Sequence, residues 1–372
     1  MGPVSYQNWK AKLEGHPPKY AIEFPLFTDA HITGQIEEGY GPYQFFNTIA
    51  IAPSKTLTSS IILRVENHLP AVDISKLKMI KTDTDHYHGG WLSDEVAALL
   101  SLCLGIRAKA GGSTRRFELN GDPRGRPEHY TMYSNPVSLP KLNRSPILPF
   151  SFGPHLLNDA IYLQRFPEIS AQETMALVRA ARLYQDAIWV SESEPALAWL
   201  MFVSSIETAA DYWRKEKETP IERLRASKPQ LEKLLLGKGD KDFVNQVAGL
   251  VSDFMGATKK FIDFILSFLP TPPKDRPAEF IQFSWDKENL KKALCKIYDW
   301  RYRSLHGGIP FPLPMCEPPF VHEGRFAEKP IGVASQAHGA TWVAEDTPML
   351  LHTFEYIVRN SLLSWWNSMI KN

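Results

Sequence analysis

Residues 287–308 read KENLKKALCKIYDWRYRSLHGG, and this stretch decides how the C-terminal half folds. Leu290, Leu294 and Ile297 recur at helical spacing and share one face. Arg301 continues that face, falling only about 20° from Leu290 on a wheel of 3.6 residues per turn. An arginine in an apolar stripe needs a carboxylate, a carbonyl or an anion, unless its long stem lets the charge snorkel out at the helix end. His306 follows, and Gly307-Gly308 stops the helix. A last helical turn carries unpaired carbonyls and the negative end of the dipole. Both favour a protonated imidazole, whether it acts as a plain cap or as a proton-transfer group.

Working outward, the chain after residue 150 is helical in pattern. Apolar periodicity predicts helices over 155–166, 171–190, 195–213, 241–268, 287–305 and 347–369, joined mostly by short connections. A proline-dense stretch, Gly307–Pro319, precedes the last of them. This is the pattern of an up-and-down bundle. Before residue 150 the pattern differs. Tyr20–Phe27, Tyr43–Ala52 and Ser59–Val65 read as strands, with further short strands at Phe117 and Tyr130. One helix interrupts them, predicted from Leu92 to Ala110, with Ser93 as its cap and Gly111-Gly112 as its stop. Residues 135–152 are rich in Pro and Ser and read as a linker. The expectation is an α+β domain over 1–150 followed by an all-α domain over 151–372.

Composition bounds the function. Formal net charge is +1, so no whole-protein field draws the chain onto nucleic acid or a membrane. The three cysteines, Cys103, Cys295 and Cys316, lie far apart, which argues against a disulfide scaffold or a zinc ribbon. The first thirty residues lack a signal-peptide pattern, and the longest apolar run is about half a membrane span. The expected location is the cytoplasm.

The string IYDWRYRSLHGGIPFP, residues 297–312, contains Arg301-Tyr-Arg-Ser-Leu-His306. It resembles the R-x4-H motif of the HEPN superfamily, and its Gly-Gly and proline-rich continuation resembles the ApeA-like branch. The resemblance covers roughly residues 155–372. A second R-x4-H string, Arg124 to His129, sits in a Gly/Pro-rich loop with no helix before it and reads as chance. The resemblance implies a HEPN-type bundle and metal-independent RNA cleavage, with no cofactor and no metal. It also implies a homodimer in which two Arg/His sets share a cleft, and a role in prokaryotic anti-phage defence. His306 would act as general acid or base on the ribose 2′-OH and leaving oxygen, and Arg301 would stabilise the phosphate. The N-terminal part would sense a trigger molecule or restrain the nuclease. The alternative is a non-catalytic HEPN module that binds RNA, a nucleotide or a partner protein. A third reading is a purely structural dimeric bundle with Arg301 in a subunit salt bridge.

Several positions could support such a site. Ser204, Glu207 and Asp211 form a polar stripe inside an apolar helix. Glu207 is the candidate for orienting Arg301, as HEPN domains place an acid or amide there; the other reading is a solvent-facing stripe. From Lys287 to His306 six basic residues face two acidic ones, which suits a phosphate backbone or a solvated surface. Lys296, Tyr302 and Arg303 are the candidate RNA contacts, with Tyr302 free to stack on a base or to pack in a dimer interface. A second basic stretch, Arg107 to Arg126, could bind an anion but lacks the GK[ST] of a P-loop. Asp83, Asp85, His86 and His88 resemble metal ligands but read as a surface loop.

Overall fold

The computed structural model describes residues 2–48, 57–70, 82–119, 122–130, 145–214, 219–251, 256–332, 334–337 and 339–370. Helix α1 (Val4–Leu13) leads into β1 (Tyr20–Thr28), the central strand of an antiparallel sheet. On one side β1 pairs with β4 (Thr58–Asn67), which pairs with β3 (Tyr43–Asn47). On the other side it pairs with β5 (Lys109–Ala110) and β6 (Arg115–Glu118), and β7 (His129–Tyr130) closes that edge. Alternation along the strands sends Phe45, Ile61, Leu63 and Val65 inward. The opposite face carries Glu23 directly across from Arg64. Short β2 (His31–Thr33) pairs in parallel with β8 (Pro154–Leu156). The part of the predicted strand Tyr43–Ala52 beyond residue 48 lies outside the described residues.

Helix α2 (Leu92–Leu104) is shorter than expected. Gly105 takes a left-handed φ of +69° and ends it, and the chain then turns into β5. Its cap is Trp91, whose N–H donates to the Asp94 carboxylate, rather than Ser93. The predicted helix over 155–166 is instead β8 followed by 3-10 turns, with Pro167 near their end. Of the expected linker, residues 145–152 are packed: Ile147 and Leu148 are buried, and both their N–H groups donate to the Glu192 carboxylate.

The C-terminal part is mostly helical. Helices α3 (Ala171–Val190) and α4 (Pro195–Arg214) form a hairpin, with Ser170 and Glu173 capping α3 reciprocally. Two short helices absent from the expectation follow, α5 (Pro220–Ser227) and α6 (Pro229–Leu236). With α7 (Lys241–Val251) they enclose a small core of Leu224, Val244 and Ala248. The single helix predicted over 241–268 is two, because Gly256 at φ +80° precedes α8 (Ala257–Ser267). Helix α9 (Lys287–Gly307) comes next.

This part is not all-α, contrary to expectation. Between α9 and the last helix lie the hairpins β9 (Val321–His322) with β10 (Arg325–Phe326), and β11 (Ala334–Ala337) with β12 (Ala340–Val343). Glu323 and Gly324, both at positive φ, make the first turn. Helix α10 (Leu351–Met369) ends the fold. At the centre, Trp199 of α4 stacks between Phe311 and Phe354, ring centroids 5.3 and 4.8 Å away.

The hydrophobic core crosses residue 150 without a break. Leu63 of the sheet, Leu100 of α2, Ile188 of α3 and Trp366 of α10 belong to one cluster. Arg107 ties the two parts together. Fully buried, it donates to Asp29 at 3.0 Å, to the Ile188 carbonyl and to Ser191. Among the described residues no helix is long and apolar enough to cross a membrane.

Candidate active site

Helix α9 carries the site. Asp286 caps it by accepting from the Asn289 N–H at 2.9 Å, and Gly308 at φ +65° stops it. Leu290, Ala293, Leu294 and Ile297 are buried, which turns that face toward α4 and α8. Arg301 lies on the same face, and its Nη2 donates to Glu207 Oε2 at 2.9 Å. The two side chains are 22 and 18% exposed, so the pair is largely withdrawn from water. The other Glu207 oxygen accepts from the Tyr298 hydroxyl at 2.6 Å. Burial, and then the Glu207 carboxylate beside it, push the Tyr298 phenol well above its usual range. The Arg301 guanidinium also lies 5.4 Å from the centroid of the Tyr298 ring, and its Nε is buried with no hydrogen-bond partner among the described residues.

The structure thus brings Arg301 and Glu207 together from α9 and α4. Tyr298 joins them as a third member that the sequence reading did not name. The signal was present: Tyr298 precedes Arg301 by three residues, one helical turn on the same side.

His306 sits elsewhere. It is exposed on the last turn of α9, its ring 4.7 Å from that of Tyr302. Among the described residues its imidazole has no hydrogen bond, to Arg301 or to any other group. Tyr302, Leu305 and Ile309 are all more than half exposed, so the helix end presents an apolar and aromatic surface around the imidazole. The candidate RNA contacts split. Lys296 is bonded to Asp346 at 2.8 Å, which raises its ammonium above the ordinary range. Arg303 lies over the Trp300 ring at 4.9 Å, and Tyr302 is open. Trp300 donates to the Asp346 carbonyl, so one residue ahead of α10 anchors both Lys296 and Trp300. Ser204 stays near Glu207 on α4, and Asp211 is exposed in an ion pair with Lys260.

Five of the basic residues of the second stretch are paired within the fold. Arg107 bonds Asp29, Lys109 Asp186, Arg115 Glu23, Arg116 Glu128 and Arg124 Glu37. The Asp83–His88 loop gathers no metal site among the described residues. Its His88 is instead bonded to the buried Glu95, which accepts the first N–H groups of α1. Cys103, Cys295 and Cys316 form no disulfide among the described residues. Comparison of the chain with protein-family models, with curated proteins and with solved structures yields no match.

Proposed function

We propose that this chain is a metal-independent endoribonuclease of the HEPN type, acting as a homodimer with a composite site. The observation that carries the reading is the end of α9. An arginine held from behind by a carboxylate lies five residues before an exposed histidine whose imidazole has no hydrogen bond among the described residues. An anchored guanidinium keeps its position as charge develops on a phosphate, so less reorganisation is needed. In this reading His306 of one copy takes the proton of a ribose 2′-OH. The 2′ oxygen bonds to phosphorus as the bond to the 5′ oxygen breaks. The same imidazole, now protonated, donates to that leaving oxygen beside Arg301 of the second copy, giving a 2′,3′-cyclic phosphate and a 5′-hydroxyl. Glu207 is a positioning residue behind Arg301, and Tyr302 is placed to stack on a base. DNA, lacking the 2′-OH, is inert.

The test is incubation of the purified chain with total RNA in EDTA. New cyclic-phosphate ends are expected from the wild type and not from His306→Ala; identical RNA profiles would sink the catalytic assignment. The wider reading, anti-phage defence in the cytoplasm of a prokaryote with a trigger sensed by the N-terminal part, predicts fewer phage plaques on cells carrying the wild type than on cells carrying His306→Ala. A second reading is favoured by the pairing itself. Glu207 and Asp346 already offset the charges of Arg301 and Lys296, which suits a HEPN module that holds RNA without cutting it. Retention of RNA with no new cyclic-phosphate ends would select it.

A further inference from the structure

A cavity lies away from the end of α9, where the end of α2, residues 150–155, residues 273–285, β10 and α10 meet. Its volume is about 380 Å³, within the roughly 300–1,000 Å³ of small-molecule pockets.

Its walls are aromatic. Phe150 and Phe326 meet edge to face at 5.4 Å, and Trp285 and Tyr356 do so at 5.9 Å. Such surfaces favour a flat aromatic guest. Its charges are balanced. The lining carboxylates Asp275 and Glu328 are paired with Arg325 and Arg276. Arg359 stands one turn from Glu355 on α10, interacts with it electrostatically, and is tied through Nε to the Leu102 carbonyl. No cation is left in excess to hold a phosphate.

Two polar groups of the lining residues have unmet hydrogen-bonding capacity among the described residues. The Trp285 indole N–H is buried with no acceptor among the described residues, and an unpaired buried donor is costly. One Glu355 oxygen accepts from the Tyr184 hydroxyl at 2.5 Å, and the other has no hydrogen-bond partner among the described residues. Burial raises the Glu355 carboxyl above its usual range, and burial lowers the His155 imidazole, so the site disfavours added charge.

We propose that this cavity binds an uncharged planar heteroaromatic ligand, a nucleobase or its nucleoside, stacked among these rings with its polar edge between the Trp285 N–H and the Glu355 carboxyl. The inference is independent of RNA cleavage at α9. Isothermal titration of the full chain with adenine, adenosine, guanosine and the two 5′-monophosphates tests it. Saturable one-to-one binding of adenine or a nucleoside is expected, and the free base separates base from nucleoside recognition. The 5′-phosphate should add no affinity. Trp285→Phe and Glu355→Gln should each weaken binding roughly tenfold or more, and His306→Ala should bind as the wild type does. Two variants guard against one of them failing to fold. The proposal is overturned if no probe binds at up to about 5 mM, if a monophosphate binds tenfold tighter than its nucleoside, or if His306→Ala abolishes binding.

Discussion

Glu207→Ala removes one acceptor from two donors at once. Arg301 and Tyr298 each lose a charge-assisted hydrogen bond to the carboxylate, worth about 1.5–3 kcal/mol. Both side chains of the ion pair are mostly buried, so water replaces these bonds only in part. The expected loss of stability is about 2–4 kcal/mol. Arg301→Met returns an apolar residue to the stripe of Leu290, Leu294 and Ile297 and leaves Glu207 bonded to Tyr298, though without its counter-charge. In the Arg301→Met background, Glu207→Ala then has only the tyrosine left to lose. The cycle formed by the two single variants and the double variant should show coupling of about 1–2 kcal/mol. Urea unfolding followed by tryptophan fluorescence supplies the four stabilities. Additivity within about 0.5 kcal/mol would refute the claim that Glu207 holds Arg301.

Two further outcomes follow from buried charge. His352 is buried, donates to the Ala327 carbonyl at 2.7 Å with Glu328 nearby, and is lowered by burial from 6.5 to about 4. The unfolded chain therefore binds the extra proton first, so this group's contribution is lost as pH falls from 6.5 toward 4, by up to about 3 kcal/mol. Stability measured across that window should fall less steeply for His352→Gln than for the wild type. Arg107→Met strands the buried Asp29 without its counter-charge and should lower stability by about 3–5 kcal/mol, read as a fall in the urea midpoint.

Legibility in the sequence followed the length of the signal. Ala171–Val190 and Lys287–Gly307 are long, capped and strongly periodic, and the structure begins both where the sequence reading does. Pro220–Ser227 and Pro229–Leu236 are two turns each, too short for periodicity to register, and a proline separates them. Gly105 and Gly256 each occupied the interior of a predicted helix. Only the positive φ that each adopts turns a tolerated glycine into a stop. The sheet strands were readable, but their pairing was not, because β1 joins partners from both sides of α2 in sequence. Arg301 was readable as a charge in need of a partner. That its carboxylate acceptor also holds Tyr298 depends on how α4 crosses α9, which local sequence does not encode. In the basic run from Arg107 to Arg126, the acidic partners of Arg107, Lys109, Arg115 and Arg124 are remote in sequence, so local sequence shows them as unpaired charge.

Arg301 and His306 raise a geometric difficulty for any one-copy mechanism. Five residues along an α-helix carry a side chain about 140° around the axis and about 7.5 Å along it. Arg301 accordingly points to Glu207, whereas His306 shares the outer face with Tyr302 one turn earlier. One α9 cannot easily aim both at one phosphate. Two copies related by a two-fold axis can, each lending its histidine to the other's arginine, and the exposed Leu305 and Ile309 offer the surface on which they would meet. This arrangement makes a prediction that a one-copy site does not. Arg301→Ala and His306→Ala homodimers should both be inactive on RNA. Co-refolded in equal amounts, half of the dimers are mixed, and each mixed dimer retains one intact arginine–histidine combination of its two. RNA cleavage should therefore return to about one quarter of the wild-type rate. A mixture as inactive as its components, with exchange verified by tagged subunits, would rule out the shared site.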